Sequence, residues 1–135
     1  MVGKARVFVF GSHAVEGDDA AFKASRVLAK KFPQVEFVEC EDPFALFESA
    51  KGGGRIIVLD AARGVDVPRE VSFSDIYSGK EVSLHGFDLA KVLKLLEKTD
   101  AAAARRVKII ALPLNNPGNP ASGAARVLEK ALHGD

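Results

Sequence analysis

Cysteine is nearly absent, since Cys40 stands alone among 135 residues. An intramolecular disulfide is therefore excluded, and with no cationic stretch followed by an apolar segment at the start of the sequence, a reducing cytoplasm is the expected compartment. No apolar run approaches about 18 residues, so no segment is expected to span a membrane. Neither sign of charge dominates: 19 Lys+Arg face 18 Asp+Glu. That balance excludes the broad basic field of a nucleic-acid-binding surface. Hydrophobic residues make up 47% and charged residues 27% of the chain, which excludes the composition of a disordered protein. Neither an internal repeat nor a linker is visible, and the length suits one domain over 1–135 with a substantial core.

Several signatures are missing as well. The segment after the first apolar run lacks GxGxxG and a Walker lysine, and it carries Glu16, Asp18 and Asp19, which repel phosphate. A G-x-S-x-G elbow is also absent, and the side chains of Ser12 and His13 diverge as neighbours, which speaks against a hydrolase triad with Asp60.

What remains is an alternation of strands and helices. Residues 5–10 form a β-branched and aromatic run stopped by Gly11, read as a first strand. From Asp18 onward, Ala21, Ala24, Leu28 and Phe32 follow helical spacing until Pro33. Val35, Phe37 and Val38 suggest a second strand, and Pro43 opens a short helix through Phe44 and Phe47. Ile56-Ile57-Val58-Leu59 is continuous rather than alternating, as a strand covered on both faces requires, and it ends in Asp60. Val71-Ser72-Phe73 reads as an edge strand whose direction is open. Leu89, Val92, Leu93 and Leu96 give a helix ending near Asp100, Val107 to Leu112 a further strand, and Ala121, Ala124, Ala125, Leu128 and Leu132 a terminal helix. The pattern predicts a doubly wound α/β/α sandwich, in which ligands bind outside the carboxyl ends of the strands.

Candidate chemistry gathers at those ends. Asp18 suits the cap of the first helix, and Asp19 either complements its dipole or points across the crevice. Asp60 leaves an apolar strand, either bonded to loop amides or presented as a ligand. His85, in Ser83-Leu84-His85, is either a solvated helix-start residue or a ligand. Two carboxylates and an imidazole suit a borderline divalent ion such as nickel or zinc, with positions left for a substrate. Cys40 reads as a buried small hydrophobe and His133 as a solvated tail residue.

The order of these pieces resembles the hydrogenase maturation endopeptidases, which trim the C-terminal extension of the [NiFe] hydrogenase large subunit. Gly11-Ser12 followed by Asp18-Asp19 is similar to that family's Gly-Asn turn and acidic pair. Ile56 to Asp60-Ala61 is similar to its apolar strand ending in Asp-Ala, and Ser83-Leu84-His85 followed by Leu89-Ala90-Lys91-Val92-Leu93 to its Ser-x-His and Leu-x-x-Val-Leu helix. The resemblance spans most of the chain. It implies a three-layer α/β/α sandwich with a mostly parallel five-stranded sheet and one antiparallel strand, to which 71–73 would correspond. It also implies that Asp19, Asp60 and His85 are catalytic and metal-contacting residues of an aspartyl-type endopeptidase. They would engage nickel carried by the hydrogenase large-subunit precursor, with no nucleotide or organic cofactor, and a monomer is expected. Ser12, Phe22 and Cys40-Glu41-Asp42-Pro43 depart from the family pattern. These departures motivate an alternative, a non-catalytic metal- or peptide-binding maturation module on the same fold; an unrelated small-molecule α/β enzyme is the third reading.

Overall fold

The computed structural model describes residues 5–10, 20–41, 46, 55–63, 66–71, 82–83, 86–113 and 122–133, with backbone alone at 62–63, 82–83, 86–90 and 122. In chain order the elements are β1 (Arg6–Phe10), α1 (Ala20–Lys31), β2 (Glu36–Cys40), β3 (Ile56–Arg63), β4 (Arg69–Val71) and β5 (Val82–Ser83). Then come α2 (Gly86–Thr99), α3 (Ala101–Arg106), β6 (Val107–Pro113) and α4 (Ser122–His133). Leu46 is helical and fully buried, at the place where a short helix is expected; Phe44 and Phe47 lie outside the described residues.

The sheet runs β2-β1-β3-β6-β4, with the two-residue β5 added to β3. Strands β2, β1, β3 and β6 are parallel, and β4 joins β6 antiparallel, as the expected mixed sheet requires. β5 makes a second antiparallel pair, with β3.

Alternation along each strand builds the layers. Val7, Val9, Ile57, Leu59, Ile110 and Leu112 share one buried cluster with Ala21, Phe22, Ala24 and Leu28 of α1 and with Ala124, Leu128 and Ala131 of α4. Their neighbours Phe8, Phe10, Ile56, Val58, Ile109 and Ala111 share the other, with Val92, Leu93 and Leu96 of α2, Ala103 of α3, and Leu46. Runs such as residues 7–10, 56–59 and 109–112 are continuously apolar because helices cover both faces.

Strand β4 begins at Arg69 rather than Val71, and Ser72 and Phe73 lie outside the described residues. The helix expected to end near Asp100 ends at Thr99, and a further short helix, α3, follows it where the sequence pattern predicts none. Asp100 makes that break: its N–H donates to the Leu96 carbonyl at 2.6 Å, closing α2, and its carboxylate accepts from the Ala103 N–H at 3.1 Å, capping α3.

Candidate functional site at the carboxyl edge

The chain leaves β1, forms β2 on one side of it, and returns to form β3 on the other. α1 covers one face during the first crossing, and Leu46, in the second, packs against the opposite face. The β1/β3 junction is therefore where the winding reverses, the position at which open α/β sheets leave a crevice beyond the strand ends.

Asp60 stands at that junction. The last β1–β3 pair is Val9 with Leu59, so β1 ends beside Asp60. β3 itself does not end there. It continues to Arg63, held by β6 on one side through Asp60↔Ala111, Ala61↔Leu112 and Ala62↔Pro113, and by β5 on the other through Ala62↔Ser83 and Arg63↔Val82. The sequence places Asp60 at the terminus of a strand; the structure places it inside one, at the point where one flanking partner gives way to another.

Asp60 is 2% exposed, and among the described residues it and Ser25 are the buried polar ones. Ser25 is accounted for within its helix, donating to the Phe22 carbonyl at 2.8 Å. A carboxylate inside an apolar strand costs folding free energy unless polar partners replace water, and Asp60 does take part in polar interactions. Alternation with Ile56 and Val58 turns it to the sheet face covered by α2.

Two other segments approach this edge. Because β1 and β2 are parallel, α1 must run back between them, so its first residue, Ala20, lies at the carboxyl edge. β5 runs from beside Arg63 to beside Ala62, that is, toward Asp60, and α2 opens three residues after it, at Gly86. Asp19 and His85 are bonded to Ala20 and Gly86 respectively. Asp19 and His85 themselves lie outside the described residues, as do Ser12, His13, Glu16 and Asp18. Among the described residues no group of three or more His, Cys, Asp or Glu is placed to hold a metal ion.

Cys40 is buried at the end of β2, in register with Phe10, as a small hydrophobe should be; its thiol donates to the Val38 carbonyl at 3.7 Å. Among the described residues no helix is long and apolar enough to cross a membrane.

Solved structures share this architecture. The [NiFe] hydrogenase maturation protease HybD from Thermococcus kodakarensis superposes with a TM-score of 0.61 at 22% identity, covering 95% of this chain and 96% of its own. An uncharacterized protein from Wolinella succinogenes superposes with a TM-score of 0.56 at 15% identity, covering 96% and 91% respectively. No protein-family model matches the sequence, and no curated protein matches it. Likeness at these identities establishes the fold over nearly the whole chain, and the function rests on the site.

Proposed function

We propose that this protein is a cytoplasmic endopeptidase of hydrogenase maturation that removes the C-terminal extension of a nickel-loaded [NiFe] hydrogenase large-subunit precursor. The observation that carries the reading is the buried Asp60 at the winding reversal, inside an otherwise apolar strand. Support comes also from the fold shared with a [NiFe] hydrogenase maturation protease. The sequence order of Asp18-Asp19, Asp60-Ala61 and Ser83-Leu84-His85 agrees with that role.

In this reading the nickel belongs to the substrate. Asp60 offers carboxylate oxygens from the sheet, and Asp19, which precedes α1 in sequence, and His85, which precedes α2, would add a second carboxylate and an imidazole. Oxygen and nitrogen donors of this kind suit a divalent ion of intermediate softness. The precursor's metal, held against these three side chains, would supply Lewis-acid chemistry that lowers the barrier to hydrolysis. Burial of Asp60 serves the reaction by keeping bulk water from competing for its oxygens. The protein acts as a monomer, and its cargo is the precursor rather than a resident cofactor.

The test is incubation of the protein with nickel-loaded and nickel-free precursor, followed by intact mass spectrometry. Loss of a C-terminal peptide from the nickel-loaded precursor alone is the expected result. A stoichiometric complex with no shortened product identifies the non-catalytic binding module, and an unchanged, unbound precursor overturns both.

A further inference from the structure

The register of the sheet places Arg69 in line with Asp60. Asp60 pairs with Ala111, and Ala111 pairs with Arg69. In-register neighbours on adjacent strands project to the same face. Val71, two residues from Arg69 on β4, is buried in the cluster beneath α2, which fixes that face independently. Strands lie about 4.8 Å apart, so the Arg69 and Asp60 backbones are separated by about 10 Å. Between them stands Ala111, whose side chain is a single methyl group. Arg69 is exposed, whereas Asp60 is buried.

Local structure holds this arginine in place. Pro68 precedes it, fixing its own φ and favouring extended backbone at Val67. The Pro68 ring is pressed against α4 at Gly123: a Cβ built there would stand 3.1 Å from Cδ and 3.3 Å from Cγ of Pro68. The start of β4 is thus docked on a helix that itself belongs to the core.

We propose that Arg69 is a substrate-positioning residue that receives a carboxylate of the precursor chain about three residues from the bond that is cut, since extended chain advances about 3.3 Å per residue. The inference rests on the endopeptidase reading. Its chemistry is that of a guanidinium fork, which holds carboxylates through two parallel hydrogen bonds and has five N–H donors, so that an interaction within the protein leaves donors for a ligand. Arginine also suits a region rich in acid. The carboxyl edge carries the buried Asp60 and, just beyond β2, the exposed Glu41, and a substrate carboxylate entering there is repelled unless a cation meets it. A charge on an edge strand has a structural use too, since it discourages pairing with a second chain. That use is indifferent to sign, and the test exploits the difference.

Cleavage of the nickel-loaded precursor is measured with the wild type and with Arg69→Glu and Arg69→Lys, and melting temperatures are recorded alongside. Arg69→Glu is expected to raise KM about tenfold while kcat changes less than about twofold, the signature of lost uniform binding. Arg69→Lys recovers part of the loss, and a Lys replacing one acidic residue of the precursor near the cut restores cleavage by Arg69→Glu. An unchanged KM in Arg69→Glu, with the wild type cutting normally, overturns the role of Arg69 and leaves the endopeptidase standing. Should the wild type bind without cutting, the comparison moves to Kd: weaker binding by Arg69→Glu supports the role, and equal binding overturns it. A wild type that neither binds nor cuts overturns the endopeptidase and this role together.

Discussion

The two edges of the central sheet are finished in opposite ways. At the amino edge, cations close the structure on itself. Arg55, just before β3, donates from Nη1 to the Ala131 carbonyl at 3.1 Å and also to the Leu132 carbonyl. Lys108, at the start of β6, donates to the Ala131 carbonyl at 3.2 Å. Both charges neutralise the negative end of α4 and satisfy carbonyls that its last turn leaves unpaired. At the carboxyl edge a carboxylate is buried where β1 stops, and an arginine two strands away is left exposed. One edge uses its ionic groups for stability, while the other holds one of them, Asp60, at the cost of burying a carboxylate. The second kind is the one a binding site requires.

Substitution at each edge separates these roles, beginning with the largest expected effect. Asp60→Asn keeps the shape of the side chain but removes its charge, and is expected to slow processing by about 10³-fold or more, equivalent to about 4 kcal/mol of barrier, with a cooperative melt retained. Mass spectrometry of the product and a thermal scan check both halves of that statement. Ile57→Ala, in the same strand but facing α1 and α4, is expected to cost about 3 kcal/mol of stability by urea titration. Its processing rate per folded molecule stays at the wild-type level, and a selective loss of rate would merge the core with the site. Arg55→Met and Lys108→Met are each expected to cost about 1 kcal/mol, and because they share the Ala131 carbonyl, the double variant should depart from additivity. Strict additivity would mean that the two cations do not act on one helix end. The smallest effect belongs to Arg26→Ala, which breaks the 3.3 Å pair with Glu39 across a surface where the side chains are 60% and 36% exposed. Less than about 0.5 kcal/mol is expected there, vanishing at high salt.

The contrast between the edges also explains what the sequence disclosed. Apolar runs such as Val7-Phe8-Val9-Phe10 and Ile56-Ile57-Val58-Leu59 announce buried parallel strands because both faces must be covered, and the periodic helices follow from the same need. Asp60 is legible because a charge interrupts such a run. That β3 continues through it is not legible: Ala61-Ala62-Arg63 has weak strand propensity, and only pairing with β5 and β6 extends the strand. Helix α3 lacks a periodic face, being four alanines and two arginines, and its one local signal is Asp100, a cap residue before them. Arg69 had no local mark at all. Its alignment with Asp60 arises from antiparallel register across Ala111, a relation between residues distant in sequence. Asp19 and His85 are marked in the sequence by motif and resemblance alone, and both lie outside the described residues.

In the proposed function the carboxyl edge is the place where a nickel-loaded precursor is engaged and cut. The most direct measurement is intact mass spectrometry of nickel-loaded precursor incubated in parallel with wild type, Asp60→Asn and Arg55→Met. Shortening of the precursor by wild type and Arg55→Met but not by folded Asp60→Asn is the predicted result. Equal shortening by Asp60→Asn would contradict it.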